Sequence, residues 1–520
     1  MSTVRTSQKS MLDQLLIQDK WKRDDLLDLG IRVIDAPLVT VGGGLGSFAL
    51  ADHLRVAGVP ASEIVVLGPC SDPSDTYRRL ASNSQIPDNE RLRSDSGSTI
   101  DNIWGFPSYA LREAWHDRSL TPLMKVATEP ILTEYFTPRA GQVYAGVDRE
   151  CDRIGWSSMF HKGWVRTIRP DRDGGYFVLF TVEKGLAVDG RRQIERIAFR
   201  CRTVHVAVGY PGLALLPDLA SFRKRYPDHS HRVSNAYEPH DHVYDELSHR
   251  SSTIVIRGSG IVASRVLQRL LDDRRTLGTN TRIVHLFRHY VDGPQGDSPR
   301  FRRQGGGGFA YQPFNFPKAA WSGQLREHLE GLESSERADL INRMGGTNTA
   351  PRKAWQRQLA EAREAGVYLQ RIGRVTDIEP TGSGLRIVLD PSDGGSAIVE
   401  ANHIVDATGL LAEMTQHRLL ADLLTHCGAG QNSKGRLDVD PDFEVRGTRS
   451  GEGKMYASGA MTLGGHYAGV DSFLGLQYAA LRITDQMSND GLCRALSPGR
   501  NASGWTRWAL GRPPRNRRAA

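Results

Sequence analysis

Two segments of the chain show the same succession of hydrophobic and polar positions. Residues 37–58 and 252–273 each begin with a short β-branched run, pass through glycines, and continue with apolar residues at helical spacing. These helical positions are Leu50, Leu54 and Ala57 in the first segment and Val262, Val266 and Leu270 in the second. Another apolar run follows each segment, at residues 64–67 and 283–287. The pattern predicts two strand–turn–helix–strand units.

The glycines of both segments have the spacing Gly-x-Gly-x-x-small. The turn residues are Gly42, Gly44, Gly46 and Ser47 in the first segment and Gly258, Ser259, Gly260 and Ala263 in the second. Such a turn lets backbone N–H groups approach a pyrophosphate, which the positive end of the helix dipole then stabilises. Either turn alone is compatible with a strand–helix bend that binds nothing. The pair predicts two dinucleotides in one enzyme.

Three more apolar runs end at glycines. They are residues 204–209, which lead into a Gly/Pro turn, residues 404–409, which end at Gly409, and residues 455–459, which end at Gly459. A loop after Gly459 leads to a helix predicted over about residues 472–487, and Asp471 or Ser472 is its natural N-cap. The alternation of strands and helices predicts an α/β protein.

Length and composition fit two or three globular domains, because 520 residues are 39% hydrophobic and 24% charged. No apolar stretch reaches the roughly 18 residues of a membrane span, and the N-terminus lacks the apolar centre of a signal peptide. We therefore expect a cytoplasmic protein without membrane contact. The five cysteines are scattered without a Cys-x-x-Cys pair. This gives no support for a metal site and argues against the disulfide-reducing flavoenzymes.

Part of the net charge of +8 lies in the C-terminal tail. The basic residues there are Arg512, Arg515, Arg517 and Arg518. We expect residues 496–520 to form a flexible basic tail. Because no aromatic–basic interleaving or nucleic-acid-binding motif accompanies it, we expect no nucleic-acid partner.

The order of these landmarks resembles that of the flavin-containing monooxygenases and their N-hydroxylating and Baeyer–Villiger relatives. Residues 92–96 are similar to the family's Leu-x-Thr-Asn-Thr segment, and Phe106 and Pro107 match the Phe-Pro downstream of it. Residues 234–239, just before the second turn, are similar to the family's His-Ser-x-x-Tyr-x-x-Pro linker. The resemblance covers most of residues 35–490.

The resemblance implies two dinucleotide-binding Rossmann-like domains, with an NADP-binding domain inserted into a discontinuous FAD-binding domain. The FAD domain would comprise residues 35–240 and 400–495, and residues 1–34 would form a helical extension. The NADP domain would comprise residues 241–399, with a helical and glycine-rich insertion at about 295–365. A homo-oligomer is compatible with the sequence.

The resemblance also implies the chemistry. NADPH would reduce FAD, and the reduced flavin would capture O2 as a C4a-(hydro)peroxide. That species would oxygenate a small-molecule substrate at an amine nitrogen or another heteroatom. The N-hydroxylating branch is favoured because the Baeyer–Villiger fingerprint is missing.

Besides Asp95, which stands where the family has an asparagine, three positions depart from the family pattern. Gly68 stands where an acid usually binds the FAD ribose, and Asp72 or Asp75 could substitute for it. Gly459-Ala460 stands where the family has Gly-Asp, and Val233 replaces the histidine of the linker. Two alternatives therefore stay open: a flavin-dependent NAD(P)H dehydrogenase or oxidase that inserts no oxygen, and a nucleotide-binding protein that has lost catalysis.

Several cofactor contacts follow from the resemblance. The helix that begins near Ser472, flanked by Asp471 and Phe473, would direct its dipole at the flavin. Gly68, Gly409 and Gly459 would lie beside the cofactors at strand ends. Arg288 would bind the 2′-phosphate of NADPH, and a solvated surface arginine is the alternative.

Asp95 and His466 are the candidate catalytic residues. Asp95 stands where the family has an active-site asparagine: ionised, it can only accept a hydrogen bond, whereas a protonated Asp95 could donate one. A loop aspartate that caps a turn is the alternative. His466 would face the flavin or the substrate, unless its role is structural. The four glycines at 305–308 form either a mobile loop over the active site or a surface insertion.

Overall fold

The computed structural model describes residues 11–92, 106–128, 136–186, 192–213, 215–287, 324–344, 353–391, 396–410, 413–495 and 497–517. The strands are β1 Arg32–Asp35, β2 Leu38–Val41, β3 Ile64–Gly68, β4 Phe160–Lys162, β5 Trp164–Pro170, β6 Tyr176–Leu186, β7 Arg192–Cys201, β8 Thr203–Val206, β9 Val233–Asn235, β10 Ser252–Arg257, β11 Thr281–Phe287, β12 Tyr368–Pro380, β13 Leu385–Pro391, β14 Ala397–Ala401, β15 His403–Asp406 and β16 Lys454–Ala457. The helices are α1 Arg23–Leu27, α2 Leu45–Val56, α3 Asp75–Asn83, α4 Phe106–His116, α5 Thr121–Ala127, α6 Ala140–Ile154, α7 Trp156–Met159, α8 Pro217–Arg225, α9 Asp241–His249, α10 Ile261–Leu277, α11 Gln324–Glu330, α12 Ser334–Met344, α13 Lys353–Glu364, α14 Arg418–His426, α15 Phe473–Asn489 and α16 Pro498–Ala509.

The first glycine turn belongs to a parallel five-stranded sheet with the order β16-β8-β2-β3-β4. Strand β2 is buried along its whole length, as its run of apolar residues predicts for a central parallel strand. Helix α2 follows the turn, and its predicted apolar positions Leu50 and Leu54 are buried in the core. A second, smaller sheet with the order β1-β7-β6-β5 completes this domain.

The second glycine turn belongs to a seven-stranded sheet with the order β14-β13-β12-β11-β10-β15-β9. Strands β12, β11, β10, β15 and β9 pair in parallel, and β13 and β14 extend the sheet as antiparallel strands. Helix α10 buries Val262, Val266 and Leu270 against one face. The predicted α/β class with two Rossmann-like units is therefore confirmed.

The boundary between the two units differs from the expected one. Strands β9 and β15, at residues 233–235 and 403–406, belong to the second sheet, although the expected FAD domain included both. Strand β15 pairs with β10 in the register Val255↔Ile404, and β9 pairs with β15. The chain therefore passes between the units after β8 and again after β15. Pairing between residues about 150 apart decides this, and local sequence does not encode it.

The helical insertion of the second unit is described at three helices. Leu325 and Leu329 of α11 pack into the core of the first unit. Helix α13 packs instead on the second unit, where Ala362 is buried.

The two chain ends also differ from expectation. Within residues 11–34, the part of the N-terminal extension that the structure describes, only residues 11–16 and 23–27 are helical. The buried Trp21 lies between them, and its indole N–H donates to the Leu15 carbonyl at 2.8 Å. The tail is not flexible over residues 497–517: α16 forms there, and the Arg517 backbone N–H donates to the Gly58 carbonyl at 2.6 Å. The Arg55 guanidinium donates to Asn516 at 2.8 Å. Specific contacts with the first unit thus order the basic tail. Among the described residues, none of the helices combines the length and hydropathy needed to cross a membrane.

Candidate nucleotide-binding site

The two glycine turns have the same backbone geometry. Gly42 and Gly258 adopt φ values of +140° and +122°, which favour glycine. A Cβ at Gly42 would lie 2.1 Å from the Ala207 carbonyl oxygen, and one at Gly258 would lie 2.5 Å from the Ala407 carbonyl oxygen. Each turn is thus packed against the residue that ends the neighbouring strand. The predicted requirement for glycine has a steric cause at both sites.

Both turns open onto one cavity of about 910 Å³. Its wall includes the predicted site residues Gly42, Gly44, Gly46, Gly258, Ser259, Gly260, Gly409, Gly459 and Asp471. The cavity lies at the carboxyl ends of the parallel strands, the edge at which open α/β sheets bind ligands. Ser47, Gly68, Ala263, Ser472 and Phe473 do not line it. The structure therefore brings both turns to one site and places five predicted residues behind its wall.

The N-terminal end of α15 lies beside the N-terminal end of α2 at this cavity. Ser472 is the N-cap of α15, as predicted, and its hydroxyl accepts from the Gly475 N–H at 3.0 Å. Leu476, in the first turn of α15, lines the cavity and would lie 3.5 Å from a Cβ placed on Gly46. Two helix dipoles therefore present their positive ends to the same space, which suits an anionic ligand.

Two tyrosines on the cavity wall were not anticipated from the sequence. The Tyr210 hydroxyl donates to the Asp471 carboxylate at 2.6 Å, which joins the segment after β8 to the start of α15. Burial and the adjacent Asp471 raise the pKa of Tyr210, so its hydroxyl remains a donor. Burial and Asp471 also raise the pKa of Tyr237, to about 12.

Gly68, where the family has an acid, is tightly packed against the first turn. A Cβ at Gly68 would lie 2.8 Å from the Gly43 Cα and 2.9 Å from the Gly42 carbonyl oxygen. Neither nearby aspartate lines the cavity in its place. The Asp72 carboxylate instead accepts from the backbone N–H and the hydroxyl of Ser74, both at 2.8 Å. Any side chain at position 68, an acid included, would therefore conflict with the first turn.

A chain of buried hydrogen bonds lies beneath the first turn. The Thr40 hydroxyl lies 2.8 Å from the Ser47 hydroxyl and 2.8 Å from His205 Nδ1, and His205 Nε2 lies 2.9 Å from the Ser458 hydroxyl. Ser458 is the one of the four that lines the cavity. The sequence carries a signal for this chain: Thr40 and His205 are polar positions in the apolar runs of β2 and β8, and they are register partners.

The second turn also has a buried histidine beneath it. His285 Nε2 donates to the Gly258 carbonyl at 2.5 Å, and the Tyr368 hydroxyl lies 2.8 Å from His285 Nδ1. Arg257, the residue before Gly258, lines the cavity and forms an ion pair with Asp218 at 2.6 Å. The second turn therefore has a cation beside it.

Of the remaining predicted residues, only His466 is described by the structure, and it does not reach this cavity. Asp95, Arg288 and the glycines at 305–308 lie outside the described residues. His466 is buried but does not line the cavity, and neither of its ring nitrogens has a hydrogen-bond partner among the described residues. Burial, together with the charges of Arg337 and Arg446, lowers its pKa to about 4. His466 is therefore neutral at physiological pH.

No protein-family model matches the sequence, and no curated protein is similar to it in sequence. Solved structures match its fold. The ornithine N-hydroxylase of Kutzneria sp. 744, with reduced FAD, NADP+ and L-ornithine, matches with a TM-score of 0.59 and 14% identity over 88% of this chain and 100% of that chain. The FAD-bound cadaverine monooxygenase of Erwinia amylovora matches with a TM-score of 0.59 and 15% identity over 94% and 97%. The L-lysine 6-monooxygenase of Pseudomonas syringae matches with a TM-score of 0.58 and 15% identity, over 91% of this chain and 99% of that chain. The chain thus shares the fold of the N-hydroxylating flavin monooxygenases, as the sequence resemblance predicts.

Proposed function

We propose that this chain is an FAD- and NADPH-dependent monooxygenase that hydroxylates the nitrogen of a small amine. One observation carries the proposal: two glycine turns of equal geometry, on two separate sheets, open onto a single cavity. Two nucleotides bound there would meet at their reactive ends, as hydride transfer between them requires.

The first turn fits FAD. A Cβ at Gly44 would have only the Pro73 carbonyl near it, at 4.0 Å, so the backbone of this turn is open towards the cavity. The N-terminal ends of α2 and α15 supply positive potential for a pyrophosphate and for negative charge on a reduced flavin. Bound FAD supplies the redox chemistry with O2, and the protein supplies binding, orientation and exclusion of water.

The second turn fits NADPH. Gly258, Ser259 and Gly260 line the cavity, and Arg257 places a cation beside them. From the sequence we further propose that Arg288, the residue after Phe287, binds the 2′-phosphate, since a guanidinium can bind a phosphate through two hydrogen bonds. Asp95 remains our candidate for a residue near the reaction, whereas the buried His466, which does not line the cavity, fits the structural alternative.

We propose the substrate class from the enzymes whose solved structures share this fold, an ornithine N-hydroxylase, a cadaverine monooxygenase and an L-lysine 6-monooxygenase. The direct test supplies the FAD-loaded chain with NADPH, O2 and each of these three amines. We expect one of them to accelerate NADPH oxidation and to be converted to its N-hydroxylated product, detected by mass spectrometry.

The same experiment separates the alternatives. NADPH oxidation that yields hydrogen peroxide but no hydroxylated amine, with every amine, would indicate a dehydrogenase or oxidase. A chain that binds no FAD would indicate a protein without flavin catalysis. Gly258→Ala is the matched control, because it should prevent NADPH-dependent turnover while FAD remains bound.

A further inference from the structure

The hydrogen-bonded chain beneath the first turn is almost fully withdrawn from solvent. Thr40, Ser47 and His205 are at most 1% exposed, and Ser458 is 3% exposed. Burial of a polar side chain has a free-energy cost that hydrogen bonds must offset. Among the described residues, the side-chain hydrogen bonds of these four residues are made to one another. The chain connects β2, α2 and β8 to the segment after β16.

The chain has two internally consistent proton arrangements. Burial lowers the pKa of His205 to about 3, so the ring is neutral and has one N–H donor and one acceptor nitrogen. In the first arrangement Ser47 donates to Thr40, Thr40 donates its single proton to Nδ1, Nε2–H donates to Ser458, and the Ser458 proton is free to point into the cavity. In the second arrangement every bond is reversed, and Ser458 donates to Nε2 and offers the cavity only lone pairs.

The position of Ser458 favours a ligand that accepts. A Cβ at Gly46 would lie 3.1 Å from the Ser458 hydroxyl oxygen, so this hydroxyl lies against the first turn of α2. Phosphate oxygens of a dinucleotide can only accept, and the hydroxyl that meets them must donate. Ala460, two residues along the same wall, has no polar atom in its side chain.

We propose that Ser458 donates a hydrogen bond to an acceptor oxygen of the dinucleotide on the first turn, and that His205 is the positioning residue that makes Ser458 a donor. The inference rests on the proposed function, in which this dinucleotide is FAD. It assigns one side-chain hydrogen bond between the cavity wall and the dinucleotide to Ser458, and it makes the proton on His205 Nε2 a consequence of cofactor binding.

The tautomer of His205 tests this directly. With 15N-labelled histidine, ring-nitrogen NMR shifts distinguish Nε2–H from Nδ1–H, and the His205 signal is the one lost in His205→Gln. We expect Nε2–H in the FAD-loaded chain. His285 is an internal control: its Nε2 faces the Gly258 carbonyl at 2.5 Å, so it should be Nε2–H with or without FAD. An Nδ1–H form of His205 in the loaded chain would overturn the proposal.

FAD affinity gives a second, independent readout, measured by flavin fluorescence during titration of the apoprotein. Ser458→Ala and His205→Leu should each weaken binding by about tenfold, or about 1.4 kcal/mol. The double variant should bind no more weakly than either single variant, because His205 acts through Ser458. His205→Gln, whose amide can still donate to Ser458, should keep the affinity within about twofold of wild type.

Thr484→Ala is the matched control for loss of a buried hydroxyl. Thr484 lies in α15 and donates to the Ala480 carbonyl at 2.7 Å, so its loss should leave the FAD Kd unchanged. If wild type binds FAD, the proposed cofactor is upheld. In that case an unchanged FAD affinity of Ser458→Ala, or additive losses of affinity in the double variant, would contradict the role of Ser458 and His205. Absence of FAD binding in wild type would contradict both the proposed cofactor and this role. If His205→Leu does not fold, Ser458→Ala and the tautomer measurement still decide.

Discussion

The two glycine turns share a backbone arrangement, but the histidines beneath them have different partners. His285, on β11, contacts the Gly258 carbonyl through Nε2 and a tyrosine hydroxyl through Nδ1. Among the described residues, the hydrogen bonds of His205, on β8, are made only to hydroxyl groups, those of Thr40 and Ser458. A carbonyl can only accept, so the protein itself fixes the proton of His285 on Nε2. The proton of His205 instead depends on what Ser458 meets in the cavity.

A second difference lies at the residue before each turn. Val41 precedes Gly42, whereas Arg257 precedes Gly258 and is paired with Asp218. The first turn therefore relies on backbone N–H groups, two helix ends and a hydroxyl, and the second adds a side-chain cation. The same backbone arrangement therefore has different polar surroundings at the two turns.

The largest expected effect comes from replacing the first glycine of each turn. Gly42→Ala places a Cβ 2.1 Å from Ala207 O, and Gly258→Ala places one 2.5 Å from Ala407 O, both at positive φ. We expect Gly42→Ala to weaken FAD binding by roughly 100-fold or more, and Gly258→Ala to weaken NADPH binding similarly while FAD stays bound. FAD titration and the NADPH dependence of anaerobic flavin reduction measure the two effects. The opposite pairing of losses would reverse the assignment of the turns.

A smaller loss is expected when the acid typical of the family is restored. Gly68→Glu introduces a Cβ 2.8 Å from the Gly43 Cα, so we expect FAD affinity to fall by more than about tenfold instead of rising. Gly68→Ala separates the steric effect from the effect of the charge. It has the same steric conflict without a carboxylate, so its FAD affinity should fall by a similar factor. Tighter FAD binding by Gly68→Glu in a titration would show that the turn has room for the acid.

Removing the cation beside the second turn should affect only one nucleotide. Arg257→Met keeps most of the apolar stem and loses the charge, so the KM for NADPH should rise by about tenfold while the FAD Kd stays constant. Steady-state kinetics and FAD titration on the same preparation measure both. A change in the FAD Kd with an unchanged KM for NADPH would indicate that Arg257 lies beside FAD and not beside NADPH.

The smallest expected effect concerns acid stability. Burial lowers the folded-state pKa of His205 to about 3, below its ordinary 6.5, so the unfolded chain binds the extra proton. The stabilisation is complete well above pH 6.5, begins to fall near pH 7 and is lost progressively as the pH falls towards 3. Between pH 7 and pH 6 the loss is roughly 0.7 kcal/mol, about threefold in the unfolding constant.

Urea unfolding of wild type and His205→Gln at both pH values isolates that loss. The variant should be less acid-sensitive by about this amount, since its amide does not titrate. His285→Gln should change in the same direction, because burial also lowers the pKa of His285. Equal acid sensitivity of His205→Gln and wild type would contradict a neutral buried His205.

The strands, turns and helix starts were predictable because they rest on local pattern. The β-branched runs at β2 and β10, the glycines after them and the Ser472 cap each follow from a few adjacent residues. The membership of β9 and β15 was predicted wrongly, because these short strands are assigned by partners far along the chain. The tail was predicted wrongly because its contacts with Gly58 and Arg55 are tertiary.

The sequence predicted which backbone turns form the candidate site, but it did not predict most of the side-chain hydrogen bonds around them. Both turns reach one cavity as expected, whereas the bonds that join Thr40 to Ser458 depend on the register between β2 and β8. The sequence showed that position 68 is a glycine and not the acid that the family usually has there. The close contact of this position with Gly43 required the structure.

The central claim is that the two turns bind two different nucleotides, with FAD on the first. The most direct measurement is the binding stoichiometry of FAD to the purified wild-type chain, followed by NADP+ titration of the FAD-loaded form. We predict one FAD for each chain, then one NADP+ that binds without displacing it. Competition between NADP+ and FAD for a single site, or two FAD molecules for each chain, would contradict the account.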